Sequence, residues 1–143
     1  MKIDIKYFDT LMPFVQLVHD KSDWIDLRSA RDIEYKAGDF FLVPLGIAMN
    51  LPKGYEAHVV PRSSTFKNYG ILQTNGQAVI DESYCGNNDQ WFMPCYATKD
   101  GLIEKYDRIC QFRIMKKMEP VTFNKVDKLE SPDRGGHGST GVK

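Results

Sequence analysis

Proline and glycine interrupt this sequence about every eight to twelve residues, and the stretches between them are too short for long helices. Punctuation of that density forces the backbone to pair across the chain, because short segments cannot satisfy their amide groups internally. The turns are legible at Lys36-Ala37-Gly38-Asp39 and at Leu51-Pro52-Lys53-Gly54. Between such turns, residues 2–7 alternate apolar and charged side chains, the period of a strand with one buried face. Residues 24–27, 33–35, 40–49, 57–60, 92–97, 108–115 and 121–126 read as further strands. Residues 11–19 suit a short helix or an irregular loop equally, since Pro13 falls inside the apolar pattern. The one helix expected in the body starts at Ser63-Ser64-Thr65, where a hydroxyl can cap one or two turns. The fold class is therefore all-β, a barrel or sandwich with one short helix.

At 143 residues the chain is long enough to bury a core without staples. Cys85, Cys95 and Cys110 form an odd set without a close pair, which supports neither a disulfide framework nor a closely spaced zinc site and suits reduced thiols in a cytoplasm. Lys and Arg number 19 and so do Asp and Glu, so no general attraction to a nucleic-acid polymer or an anionic membrane is expected. The first residues lack a signal-peptide core, and no run is long and apolar enough for a span. A few placed arginines still suffice for a small anion.

Two stretches carry chemistry. Ala78-Val79-Ile80 runs directly into Asp81 and Glu82, as a buried strand does when it surfaces into a loop, and Tyr84 follows with a flat face. A carboxylate on such a strand end can orient a water, although an ordinary turn would look the same. From Leu129 the sequence becomes rich in Gly and small hydroxyls, through Arg134, Gly135, Gly136, His137, Gly138, Ser139, Thr140 and Gly141. Such a tail is either a floppy end or an arm whose backbone N–H groups converge on phosphate oxygens. We divide the chain into a barrel over residues 1–128 and a C-terminal arm over 129–143.

In order along the chain, five motifs together resemble the trimeric dUTPase family. The first is Asp26-Leu27 with Leu42-Val43-Pro44-Leu45-Gly46-Ile47 and Leu51-Pro52-Lys53-Gly54-Tyr55. The second is Pro61-Arg62-Ser63-Ser64, followed by Gly70-Ile71. The third is Asn75 with Val79-Ile80-Asp81 and Tyr84-Cys85-Gly86. The fourth is Asp107-Arg108-Ile109-Cys110-Gln111, and the fifth is Gly138-Ser139-Thr140-Gly141 preceded by Arg134. The resemblance spans Trp24 to Gly141 and implies a jelly-roll-like barrel assembled as a threefold homotrimer, the arm of one chain closing a site built by its neighbours.

The same resemblance implies hydrolysis of dUTP to dUMP and pyrophosphate, which limits uracil incorporation into DNA. Asp81 is implied to orient and deprotonate the water that attacks the α-phosphorus. Ser63 and Gln111 match the groups on the α and bridging phosphate oxygens, with Arg62 and Ser64 supporting that turn. Asn75 and the backbone of Ala78, Val79 and Ile80 match the segment that reads the uracil edge, and Tyr84 the ring under deoxyribose. Arg134, Gly138, Ser139 and Thr140 match the phosphate-closing arm. The implied cofactor is Mg2+ held mainly by phosphates and water, with Asp26 acting from the outer shell through a water.

This sequence departs from the family pattern at three points. Ala78 stands where Gly is usual, His137 where an aromatic residue stacks over uracil, and the arm is shorter between Arg134 and Gly138. Trp91 and Phe92, soon after the third motif, are candidates for the stacking lid and equally for strand core. A dCTP deaminase of the same fold is the nearest rival, but it needs a glutamate after Gly86, where Asn87-Asn88-Asp89-Gln90 stands. A second rival is a nucleotide-gated trimer that docks a regulatory protein partner through the variable region between Thr10 and Ser22.

Overall fold

Gly46 divides what the sequence presents as one apolar strand. Its φ of 69° turns the chain, and a Cβ there would stand 2.8 Å from Met12 Cε and 3.1 Å from Ala30 Cβ. Residues 40–49 therefore form two strands in two sheets, β4 (Phe40–Pro44) and β5 (Ile47–Asn50), which corrects the single strand expected. The computed structural model describes residues 1–18, 21–138 and 140–143. Before the break lie β1 (Asp4–Tyr7), β2 (Ile25–Arg28) and β3 (Ile33–Tyr35). After it come β6 (Tyr55–Pro61), α1 (Thr65–Tyr69), β7 (Ile71–Gln73), β8 (Ala78–Ile80), β9 (Phe92–Ala97), β10 (Gly101–Ile103) and β11 (Arg108–Lys116).

All pairings are antiparallel: β1 with β5, β3 with β10, and two larger sheets ordered β2-β11-β6-β8 and β4-β9-β7. The all-β reading holds, and the sheets close around one core. Leu27, Val43, Ile47, Val59, Ile71, Met93, Ile103, Ile109 and Phe112 are buried there, each apolar side chain contributing about 1.5–3 kcal/mol by leaving water. Trp91 belongs to the same core, 1% exposed, its ring edge-on to Phe112 at 5.3 Å and 89°.

Two expectations need correction and one open alternative is decided. Residues 121–126 form no strand; β11 ends at Lys116, and Val121, Phe123 and Val126 are exposed and join none of the described ladders. Of residues 11–19, His19 lies outside the described residues and 11–18 take the irregular alternative, with Met12 buried and Leu11 and Phe14 exposed. The helix forms where expected, but the hydroxyl of Ser64, its N-cap, makes no capping bond. Thr65 does the corresponding work: its buried Oγ1 accepts from Arg62 N at 2.9 Å and donates to Ile109 O at 3.0 Å, tying the Arg62–Ser64 turn to β11. Gly70, at φ 65°, ends the helix by donating to Phe66 O.

Candidate functional site

Two clefts collect the polar residues singled out from the sequence, and they lie on different parts of the chain. The first, about 590 Å³, is lined by Asp26, Arg28, Arg62, Ser63, Arg108 and Gln111, with Phe14 and Lys21 on its rim. The adjacency follows from register: Gln111 of β11 faces Asp26 of β2 on one side and Val60 of β6 on the other, and Pro61 delivers Arg62 and Ser63 from the end of β6. Gln111 Nε2 donates to Pro61 O at 3.1 Å, fixing the amide. Asp26 bridges two arginines, with Arg62 Nε at 3.2 Å from Oδ1 and Arg108 Nε at 3.8 Å from Oδ2. Arg28 Nη1 donates to Tyr106 O at 2.9 Å. Among the described residues, three guanidinium groups stand against one carboxylate, a surplus of positive charge suited to a polyanion.

The second cleft, about 450 Å³, is lined by Asn75, Ala78, Val79, Ile80, Asp81, Ser83, Tyr84, Gln90, Trp91 and Phe92. Strand β8 carries its floor, and the turn after it presents the carboxylates. Asp81 Oδ1 accepts from Ser83 N at 2.8 Å, while Tyr84 N donates to Asp81 O and Tyr84 Oη to Gln90 O, so the turn is closed by its own backbone. The Ser83 amide, then its hydroxyl, and then the charge of Lys117 hold the Asp81 carboxyl below the ordinary carboxylate range. Lys117 Nζ lies 3.4 Å from Asp81 Oδ2 and 3.0 Å from Glu82 Oε1, and Glu82 Oε2 accepts from Gly54 N at 2.6 Å. Glu82 is likewise lowered, first by Lys117 and then by the Gly54 amide.

The structure thus brings Asp26, Arg62, Ser63 and Gln111 together, and separately Asn75, Ala78, Val79, Ile80, Asp81, Tyr84 and Phe92. Ser64 stays at the helix start, half-buried, outside the first cleft's lining. Of the two alternatives, Trp91 takes the core one, its indole sealed against Phe112, whereas Phe92 remains half-exposed at the cleft. Arg134, His137, Gly138 and Thr140 are exposed on the tail and line neither cleft, and Ser139 lies outside the described residues. Arg28 and Lys117 were not singled out, and Arg108 was quoted in the fourth motif without a role. Arg28 shares a strand face with Asp26 at period two, which is a usable signal, whereas nothing local ties Lys117 to Asp81.

Along β11, Gln111 is level with Val60, while Ile80 is level with Ala57, so Asp81 falls opposite Glu56. Four residues and two strand spacings put the two clefts' key groups on the order of 15 Å apart. The described residues contain no group of three His, Cys, Asp or Glu side chains able to hold a metal, and none of their helices is long and apolar enough to cross a membrane.

A jelly-roll β-barrel with a cationic cleft and a separate ring-sized cleft ending in an aspartate defines a nucleotide-binding class. The chain belongs to the dUTPase family, whose model matches residues 19–141. It is 60% identical over 143 residues to the SPbeta prophage-derived deoxyuridine 5'-triphosphate nucleotidohydrolase YosS of Bacillus subtilis, covering all of both chains. It is 33% identical over 145 residues to the deoxyuridine 5'-triphosphate nucleotidohydrolase of Clostridium acetobutylicum, covering 100% of this chain and 99% of that one. Its fold is similar to a Staphylococcus bacteriophage 80alpha dUTPase with dUpNHpp, at TM-score 0.78 and 18% identity over 99% of each chain. The dUTPase of phage phi11 of S. aureus, described as coordinating a structural Mg(II) ion, superposes at TM-score 0.75 and 13% identity over 92% of this chain and all of that one.

Proposed function

We infer that this chain is a dUTP diphosphatase: water attacks the α-phosphorus of dUTP, the bond to the bridging oxygen breaks, and dUMP and pyrophosphate leave. Its 60% identity over the entire length to a deoxyuridine 5'-triphosphate nucleotidohydrolase carries the reading. In this reading Asp81 orients the water and takes its proton, while Arg62, Ser63, Gln111, Arg28 and Arg108 hold the phosphates. An Asp held low in pKa is a weak base, so charge stabilisation and alignment supply most of the rate. Asn75 and the β8 backbone take the uracil edge, Tyr84 lies under the sugar, and Phe92 stacks on the base. The alternative deaminase lacks its glutamate and is not favoured.

The separation of Asp81 from Gln111 supports an assembly in which one copy's second cleft faces another copy's first, as in a threefold homotrimer. The exposed arm, with Arg134, His137, Gly138, Ser139 and Thr140, then closes a neighbour's site over the phosphates.

Mg2+ fits this site as an ion carried by the ligand. Among the described residues lining the first cleft Asp26 is the one carboxylate, and it already serves Arg62 and Arg108, so it suits a role through water beside a phosphate-held ion. Such an ion would neutralise charge on the triphosphate. Three unpaired cysteines suit a cytoplasmic setting. A regulatory protein partner also belongs to the reading, since Leu11, Phe14, Leu17 and Val18 are exposed beside the first cleft and the phage 80alpha enzyme is described as controlling transfer of virulence genes.

Pyrophosphate release from dUTP, dTTP, dCTP and UTP side by side with magnesium tests the activity. Release from dUTP far above the other three is expected; release from all four alike, or ammonia from dCTP, overturns it.

A further inference from the structure

Gln73, at the end of β7, is a buried amide where an apolar residue would pack at lower cost. Its nitrogen faces three acceptors: Val59 O at 2.9 Å, Gly76 O at 3.3 Å and Asn75 Oδ1 at 3.0 Å. Its oxygen, buried, has no partner among the described residues. Two of those acceptors are main-chain carbonyls, which only accept, so the atom turned to them must be Nε2. The atom of Asn75 that meets the same Nε2 must in turn be an acceptor, its Oδ1. The Asn75 amide is thereby held one way round, with Nδ2 left as its outward atom at the second cleft.

We propose that Gln73 is a specificity-determining positioning residue: by capturing Oδ1 of Asn75 it obliges Asn75 to offer N–H donors to the base. A donor pairs with the carbonyl at C4 of uracil and meets the amino group of cytosine donor to donor, so the fixed amide favours dUTP over dCTP. An Asn free to turn over would accommodate both bases, because rotation exchanges donor for acceptor at little cost. The buried, unpartnered Oε1 is the stability given up for this orientation. The inference rests on the reading that Asn75 faces the uracil edge.

Gln73→Met keeps length and volume while removing both donors, and deleting the unpartnered oxygen protects folding. The test compares kcat/KM for dUTP and dCTP in wild type, Q73M, N75A and the double variant, with melting and oligomeric state recorded. The expected result is a ratio of dUTP to dCTP reduced about tenfold in Q73M, as for one lost discriminating hydrogen bond, and no further reduction when Q73M is added to N75A. An unchanged ratio in folded Q73M overturns the proposal, and so does an equal loss for both nucleotides or a loss that persists at full size on the N75A background. Wild-type protein that does not hydrolyse dUTP overturns the parent reading, a distinct result from wild-type hydrolysis with a Q73M ratio that does not move.

Discussion

Lys117 Nζ stands 3.4 Å from Oδ2 of Asp81, reaching it from the end of β11 while its backbone N–H is fixed on Gly54 O at 2.9 Å. The charge on Asp81 is therefore supported from both sides, by Ser83 on one oxygen and by Lys117 on the other, and the lysine is shared with Glu82.

The sign of the pH dependence follows. Asp81 and Glu82 are both depressed, so their contribution is complete above the unfolded carboxylate range and is lost as pH falls through the lowered folded values. Hydrolysis should persist to lower pH than a free aspartate would allow. In Lys117→Met the acid limb of kcat/KM moves upward toward the ordinary carboxylate range, the gap from wild type closing by about pH 6, roughly two pH units above a free aspartate, where the carboxylate is ionised in both proteins. A pH–rate series on both proteins checks it.

Shared sites predict complementation. Asp81→Asn and Ser63→Ala chains, each inactive alone, should recover up to about a quarter of wild-type activity when unfolded and refolded together at equal ratio, because a random neighbour supplies each missing half with probability one half. Pyrophosphate release before and after mixing measures it. No recovery would mean that each site is built from one chain.

The lid separates two adjacent aromatics. Phe92→Ala should raise KM for dUTP about tenfold, as for one lost stacking partner, with melting nearly unchanged. Trp91→Ala should instead cost about 3–5 kcal/mol of stability, because it empties the core beside Phe112. Urea unfolding alongside steady-state kinetics distinguishes the two.

The three thiols should differ in reactivity. Burial pushes Cys95 up to about 12 and Cys110 well above the ordinary thiol range, while Cys85 is exposed one residue from Tyr84. Iodoacetamide on the native protein should label Cys85 alone, and the adduct should weaken dUTP binding by crowding Tyr84. Peptide mass mapping reads the site, and prior saturation with a nonhydrolysable dUTP analogue should slow the labelling.

What the sequence determined by itself was local or additive. The alternation in residues 2–7, the turn residues and the apolar runs each specify a strand from near neighbours, so the all-β class and the helix beside Ser64 were legible, as were short motifs such as Asp26-Leu27 and Pro61-Arg62-Ser63-Ser64. Tertiary structure decided whatever depends on which distant strands pair. Register across β11, β6 and β8 set Asp81 apart from Gln111 and carried Lys117 to Asp81, while packing of β7 against β6 brought Gln73 to Val59 O. It sealed Trp91 inside while leaving Phe92 at the cleft, since successive side chains on a strand point opposite ways and only packing chooses which face is the core. It also left residues 121–126 without a partner, because β propensity becomes a strand only where another backbone offers its free amides.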